Sequence, residues 1–446
     1  MNTLFSGSSI GVGRTIRPRH LLTSFITALL VITLGACSKT NEDDSLNLLA
    51  TVPADAEIVA VANLNTLVSQ TGGSVKDGSI VKAEKLLSLV EENMKGKQAE
   101  AARWLLSPES GLECTSAVIF SYKSRPYLSM LISDEQKLRA GLDKFYPGEW
   151  LTDDKVSHKE DVAIMADRLW LLPSPDVTEV PTFANLSEVE SFRSNPYAET
   201  LAKSSDAVSF WSSVEGLMKS SGSSFKDQAI IKMAMGMAFK SPSFITGSAN
   251  LSADGVTGSL EVLDNDYKPA RCELSMSKID TGLVASLGGN ANTVLALAVS
   301  PGLVRQALQL ASSVGGNMPQ AYASAIECLD GTIAYATNLS MADTSASANS
   351  AKGAVQTNGK NNAVLLQALQ SLVGNVEIDG NTFRFADSGY GNGIAPLADV
   401  SKEFDGAWMG MASAFTLPDG KGKGIAYITL SPYEKSLRLN LKYLLK

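Results

Sequence analysis

The chain has 446 residues, of which 44% are hydrophobic, and carries 38 basic and 46 acidic side chains, for a net charge of −8. This length is enough for two or three domains. The acidic balance argues against nucleic acid and anionic lipid surfaces as partners, because both repel a negatively charged protein.

The N-terminus has the pattern of a secretory signal. Arg14, Arg17 and Arg19 form a basic segment, and no charged residue interrupts the chain from Leu21 to Ala36. This uncharged span is shorter than the roughly 20 residues that a membrane-crossing helix needs, so we expect it to be cleaved. An uncleaved membrane helix is the alternative interpretation.

The residues "LGAC", from Leu34 to Cys37, resemble the bacterial lipobox, in which a lipid is attached to the cysteine before cleavage. We therefore predict a lipoprotein signal peptide over 1–36 and lipid attachment at Cys37. An ordinary signal peptide with a coincidental cysteine is the alternative. Cleavage leaves 35 basic and 46 acidic side chains, a mature net charge of −11. Two or more acyl chains hold a protein durably on a membrane.

The segment after Cys37, "SKTNEDDS", is polar and acidic, so we predict a polar tether over 37–50. These acids resemble the surface-export signal of Bacteroidota lipoproteins, although in that signal the acids follow a lysine directly. Here Thr40 and Asn41 stand between Lys39 and Glu42. We therefore expect an outer-membrane lipoprotein of the cell envelope, and periplasmic and surface-exposed display both remain open.

The next elements occur twice. "IVAVANLNTLVSQ", from Ile58, aligns without a gap with "VLALAVSPGLVRQ", from Val294, and each predicts a buried strand followed by a helix. Farther on, "LECTSAVIFSY" is echoed by "IECLDGTIAYAT", "DAVSFW" by "DGAWMG", and each copy ends in a hairpin. Four elements in the same order predict a tandem duplication, with related domains over 51–275 and 276–446.

Hairpins such as "VEIDGNTFRF", with Asp379-Gly380 at its turn, indicate antiparallel sheet. Helical segments alternate with these hairpins, so the predicted class is α+β, with each domain a mainly antiparallel sheet covered by helices. The tract from Ser340 to Asn362 is small, polar and without period, which predicts a mobile loop inside the second copy.

The order of elements, the opening "VPADAEIVAVANLNTLV" and the tethered N-terminus together resemble an uncharacterised family of Bacteroidota envelope lipoproteins with a domain of unknown function. The resemblance covers most of the mature chain. Its motifs are structural patterns, so it carries over no functional residues. It implies a location in the cell envelope and no known activity.

Three sequence patterns resemble chemical sites, and each has a structural interpretation as well. His158, the single histidine after Cys37, lies among acids in "DDKVSHKED", where a metal site competes with a charged turn. The glycines of "GYGNG" and "GKGKG" fit turns better than phosphate cradles, because the second run leads into a strand. Met233, Met235 and Met237 in "IIKMAMGMAFK" fit a core beneath a helix better than a soft-metal site.

Three cysteines follow Cys37, an odd number for an oxidising compartment. At least one of Cys114, Cys272 and Cys328 must therefore be free or paired between chains, and Cys114 and Cys328 occupy matching places in the two copies. We predict that Cys114 and Cys328 are small buried hydrophobic residues and that no disulfide joins them.

No catalytic, metal or cofactor signature emerges, and no cofactor is expected. The sequence favours a non-catalytic binding or scaffolding module, attached to the membrane through its lipidated N-terminus, with an envelope protein or a glycan as partner. The alternative is an envelope hydrolase that uses carboxylates in a cleft between the two domains, since paired carboxylates leave little trace in a sequence.

Overall fold

A computed structural model of the chain describes most of the sequence after residue 41. The described ranges are 42–76, 79–82, 96–105, 107–146, 148–153, 155–220, 225–252, 255–275, 277–313, 325–339, 351–360, 362–373, 375–386, 393–416 and 423–445.

These ranges contain the following strands: β1 Ile58–Asn63, β2 Ser74–Lys76, β3 Ser79–Lys82, β4 Leu112–Tyr122, β5 Arg125–Ile132, β6 Leu151–Asp153, β7 Val156–Lys159, β8 Val162–Met165, β9 Arg168–Leu171, β10 Val208–Ser213, β11 Phe244–Ser252, β12 Gly255–Leu263, β13 Asn290–Ala291, β14 Thr293–Val299, β15 Leu329–Thr337, β16 Ala351–Thr357, β17 Glu377–Asp379, β18 Thr382–Ala386, β19 Ala395–Pro396, β20 Met409–Thr416, β21 Lys423–Tyr433 and β22 Ser436–Leu445.

The α-helices within the same ranges are α1 Glu42–Leu49, α2 Leu64–Gln70, α3 Lys97–Leu105, α4 Glu135–Phe145, α5 Val180–Ala184, α6 Ala198–Lys203, α7 Val214–Ser220, α8 Phe225–Ala238, α9 Thr281–Ser286, α10 Pro301–Ser313, α11 Asn362–Val373 and α12 Leu397–Glu403. Short 3-10 helices span Pro108–Ser110, Glu188–Glu190 and Phe192–Ser194.

One sheet of 18 strands dominates the fold, and the pairings within it are antiparallel. The prediction of helices combined with a mainly antiparallel sheet is therefore confirmed. Neighbouring strands follow the order β6-β7-β8-β9-β5-β4-β1-β10-β11-β12-β22-β21-β20-β14-β15-β16-β18-β17. Two small ribbons, β2–β3 and β13–β19, lie apart from it.

The order of strands repeats on the two sides of the central β12–β22 pair. Outward from β12 come β11, β10, β1, β4 and β5, and outward from β22 come β21, β20, β14, β15 and β16. The repeated sequence elements thus occupy matching places in one continuous sheet.

The structure corrects the alignment of the two copies by one residue. The gap-free alignment pairs Val59, which is fully buried, with Leu295, which is 44% exposed. The helix caps give the right offset, because Asn63 accepts a hydrogen bond from Thr66 N before α2 and Ser300 accepts one from Leu303 N before α10. Matching Asn63 with Ser300 brings buried positions of β1 and β14 together, since a one-residue slip in a strand exchanges its two faces.

Helices cover both faces of the sheet. We call the front face the one covered by α1, α5, α6, α9 and α12, whose side chains join the buried clusters of Val59 and Ala296. On the back face, α2, α3 and α4 pack on the half of the sheet that extends outward from β12, and α11 packs on the half that extends outward from β22. On each face, therefore, the two halves of the sheet have separate hydrophobic cores.

The predicted tether over 37–50 is wrong for its second half. Residues Glu42–Leu49 form α1, which packs on the front face with Leu48 and Leu49 fully buried. Polar contacts fix the helix as well, because Ser45 Oγ lies 2.9 Å from Ser116 Oγ and Thr115 donates to Asp44 over 2.7 Å. The apolar burial outweighs the polar character of the segment, so Glu42–Leu49 belongs to the folded part of the chain.

The predicted loop over 340–362 is also wrong in part, because Ala351–Thr357 forms β16 between β15 and β18. Its small residues, which suggested a loop, are needed for packing: a Cβ on Gly353 would lie 2.2 Å from the Phe385 ring. In the hairpin that follows, Asp379 pairs with Thr382, so the turn is Gly380-Asn381 and not Asp379-Gly380.

Candidate functional site

The front face of the sheet is polar at its centre. Directly paired residues of antiparallel strands lie on the same face about 5 Å apart. One row across five strands consists of Ser209, Ser248, Ser259, Asn440 and Thr429. The next row contains Thr246, Glu261, Arg438 and Ser431. The strands on either side present apolar residues to this face, so the polar floor interrupts the buried cores.

A groove of about 680 Å³ lies over this floor, on the side of β10, β11 and β12. Helix α6 and the segment after it form the wall, with Tyr197, Lys203 and Asp206 among the lining residues. Ser248 and Ser259 line the groove, and within the described part of the chain their hydroxyl groups make no hydrogen bond. They are therefore available to a ligand.

An ion pair bridges the two sides of the sheet at the edge of the groove. Arg438 of β22 contacts the carboxylate of Glu261, directly opposite on β12, through both Nε and a terminal nitrogen. The guanidinium also lies 3.3 Å from the ring centre of Tyr433. Glu261 is 17% exposed, so this pair neutralises a largely buried carboxylate.

The second acid of the groove, Asp206, is held by side chains of neighbouring elements. Asn250 donates its amide to Asp206, and Ser204 Oγ lies 3.3 Å from the other carboxylate oxygen. Asn250 in turn accepts from Gln70 Nε2 at 3.1 Å. This chain of hydrogen bonds ties α2 to β11 and orients Asp206.

Lys203 stands at the rim of the groove between two acids. Its Nζ lies 2.8 Å from Glu199 and 3.3 Å from Glu42, the first residue of α1. The hydrogen bond to Glu199, followed by the one to Glu42, raises the pKa of Lys203 above its ordinary value. The wall of the groove is therefore in contact with the first turn of α1.

Tyr197 closes the bottom of the wall. Its hydroxyl lies 2.9 Å from Thr246 Oγ1, and burial raises its pKa above the ordinary value. The Tyr197 ring stacks on Tyr267, which stacks on Phe244. Tyr267 thus lies between the rings of Tyr197 and Phe244 and links the wall to β11.

The groove is suited to hydrogen bonding with a ligand that has no net charge. Its acids and bases are matched to partners within the protein, whereas its serine hydroxyls can both donate and accept. Among the described lining residues there is no histidine or cysteine, so a serine there has no imidazole beside it to act as a base.

The sequence did not single out these residues. One signal was present: polar residues alternate in "FITGSANLS" and "GVTGSLEVL", at Thr246 and Ser248 and again at Ser259 and Glu261. Such alternation is normally attributed to a solvated sheet face. The groove arises because α6 rises beside that face.

His158 does not form a metal site in the described residues. It lies on β7 opposite Leu151 and Ala163, and no group of three potential metal ligands occurs among the residues that the structure describes. The charged contact next to it belongs to Lys159, whose buried ammonium lies 2.7 Å from Asp143.

The glycine and methionine runs have structural surroundings where they are described. Gly424 lies in β21, and Gly393 passes so close to Ala291 that a Cβ would lie 2.0 Å from its carbonyl carbon. The remaining glycines of the two runs lie outside the described residues: Gly389, Gly391, Gly420 and Gly422. Met235 of α8 packs against a small core around Phe239.

Cys114, Cys272 and Cys328 are free thiols. Cys114 lies in the back-face core beside α2 and α4, and Cys328 in the separate core beneath α11. Burial raises the pKa of Cys114 to about 12. Both residues thus act as small core side chains, as predicted from their matching places in the sequence, with Cys114 inside β4 and Cys328 directly before β15.

Cys37, the predicted lipid-attachment residue, lies outside the described residues. Within them, no helix has the length and apolar character required to cross a membrane. Comparison of the chain with protein-family models, with curated proteins and with solved structures finds no match.

Proposed function

We propose that this protein is a lipid-anchored component of the cell envelope that binds a ligand in the front-face groove without chemically changing it. The observation that carries the proposal is the groove itself, a cavity of about 680 Å³ with free serine hydroxyls on its floor. The lipobox-like "LGAC" ending at Cys37 supports the anchor.

We further propose that the chain arose by tandem duplication and consists of two related domains, 51–275 and 276–446. The matching strand order on the two sides of the β12–β22 pair supports this division. In this view the groove occupies the junction where the two domains share one sheet, and Arg438 of the second domain pairs with Glu261 of the first.

A binding role explains the acids of the groove better than the alternative hydrolase does. A carboxylate hydrolase needs two acids that face the substrate, one of them able to give up a proton. Asp206 and Glu261 are instead engaged by Asn250 and Arg438. These contacts support a structural role for both carboxylates.

The anchor is tested by membrane fractionation of cells that produce the wild type or the Cys37→Ala variant, with the intact mass of each protein. We expect the wild-type protein to carry acyl chains and to lack residues 1–36, and the variant to lose the acyl chains, because it has no thiol for lipid attachment. Cys272→Ala is the matched control and should keep the wild-type mass and stay membrane-bound. A wild-type protein whose intact mass includes residues 1–36 and no acyl chain would mean that the apolar segment is an uncleaved membrane helix.

Binding and hydrolysis are separated by incubating the purified protein with isolated envelopes. We expect the protein to sediment with the insoluble material and to release neither sugars nor peptides. Release that disappears in the variant D206N/E261Q would establish the hydrolase instead. Failure to sediment, without any release, would leave the groove without a function.

A further inference from the structure

The short distance between the groove and the membrane anchor restricts where the ligand can be. Glu42 of α1 contacts Lys203 of the groove wall, and Cys37 precedes Glu42 by five positions. A fully extended chain spans at most about 3.6 Å per residue, so these positions are no more than about 18 Å apart. A tether of all fourteen residues of the segment 37–50 would have allowed a maximum distance between two and three times as long.

Helix α1 cannot lengthen this tether by detaching easily. Leu48 and Leu49 are fully buried, Ser45 and Asp44 are hydrogen-bonded to β4, and Arg168 donates to the side chain of Asn47 over 2.7 Å. The groove wall is thus held next to the lipidated residue. A ligand that reaches the groove does so close to the membrane surface.

The chemistry of the floor indicates a neutral, hydroxyl-rich ligand. The charged groups at the groove have partners within the protein: Glu261 pairs with Arg438, and Lys203 with Glu199. Asp206 is hydrogen-bonded to the neutral side chain of Asn250. Ser248 and Ser259 are directly paired on neighbouring strands, which places their Cβ atoms about 5 Å apart on the same face. Hydroxyls that donate and accept suit the hydroxyls of a sugar, and the net charge of −11 left after cleavage repels acidic polymers.

We propose that the groove binds a neutral glycan carried by a lipid of the membrane in which the protein is anchored. This inference rests on the lipid anchor and binding role proposed above and specifies the ligand of the same groove. A free glycan shares the recognition chemistry, so the experiment has one arm for the chemistry and one for the source.

The first arm measures binding of the purified, full-length lipidated protein to an array of neutral, phosphorylated and sialylated oligosaccharides. We expect binding to neutral members. The loss of two hydrogen bonds should weaken binding of S248A/S259A by about fivefold or more. Thr257→Ala is the matched control, because Thr257 is exposed on β12 outside the groove lining, and it should bind like the wild type.

A second variant blocks the groove without touching its floor. Thr200 is an exposed residue of α6 that lines the groove, so Thr200→Trp adds bulk there without disturbing a core. We expect it to abolish array binding. A preference for acidic glycans, or wild-type binding by both S248A/S259A and Thr200→Trp, would overturn the assignment of ligand class.

The second arm uses phosphatidylcholine vesicles that hold the lipidated protein and a glycolipid bearing the tightest-binding neutral glycan. A glycolipid in the same vesicle has a high effective concentration at the groove. It should displace the labelled free glycan at least tenfold better than the same amount in separate vesicles. A Gly/Ser spacer of 20 residues after Thr40 should reduce this advantage, whereas the array result should not change.

The outcomes separate the two proposals. Array binding without a same-vesicle advantage would show that the ligand is a free glycan, which overturns the membrane source but leaves the binding role intact. A blank array with continued sedimentation on envelopes would refute the glycan and retain the binding role. Loss of both would refute the proposed function itself.

Discussion

The docking of α1 makes a strong prediction for Leu48→Ala. Leu48 is fully buried in the front-face core, where replacing leucine by alanine costs about 3 kcal/mol, within a range of about 2–5. A polar tether over the same segment would predict no effect. The substitution therefore separates the two descriptions of this part of the chain.

The assay is urea unfolding of the purified protein, followed by circular dichroism. The slope is about 1–3 kcal/mol per molar urea for small proteins and increases with chain length, so with a slope of about 3 or more the midpoint should fall by up to about 1 M. Asp43→Ala, an exposed position in the same helix, should change the stability by less than about 0.5 kcal/mol. Equal midpoints for Leu48→Ala and the wild type, within error, would refute the docking of α1.

Three further outcomes follow from the structure. Gly255→Ala should lower stability by about 2 kcal/mol or more in the same urea assay, because its Cβ would lie 1.6 Å from the carbonyl oxygen of Tyr443 at the β12–β22 pair; unchanged stability would argue against this pairing. The hydrogen bond from Lys159 lowers the pKa of Asp143, so this carboxylate stabilises the fold above the ordinary aspartate pKa of about 3.9 and loses its contribution as the pH falls below it. The melting-temperature difference between wild type and Asp143→Asn should accordingly be constant from about pH 7 to 5 and shrink below about pH 4, and a difference independent of pH would contradict the ion pair. Iodoacetamide at neutral pH should leave Cys114 unlabelled in the native protein and label it after unfolding, as peptide mass spectrometry can show, because burial raises its pKa to about 12; rapid native labelling would show that its core opens.

The sequence predicted the elements whose pattern is local. The apolar run of β1 followed by the capping residue Asn63, and the alternating strands of the hairpins, depend on neighbours within a few residues. Helix α1 was missed because its burial depends on two adjacent leucines, Leu48 and Leu49, in an otherwise acidic segment. Strand β16 was missed because its small residues resemble a linker until Phe385 is seen to pack over Gly353.

The groove could not be predicted from the sequence, for a different reason. Its floor joins Ser248 and Ser259 to Asn440, which lies far along the chain and becomes a neighbour only through the β12–β22 pairing. No local pattern specifies that pairing, since both strands are equally compatible with an exposed sheet edge. The polar positions of each strand could be read from the sequence, but their proximity in the folded sheet could not be predicted.

The central place of β22 has a consequence for biosynthesis. Synthesis from the N-terminus makes Ser436–Leu445 later than every strand it joins, and until then the edge of β12 that faces away from β11 has no partner strand. Unpaired edges invite association with other chains, and pairing partners far apart in sequence come together slowly. The chain is therefore most open to such association between the synthesis of β12 and the arrival of β22. Removal of Ser436–Leu445 would divide the sheet through its middle, because this strand lies between β12 and β21.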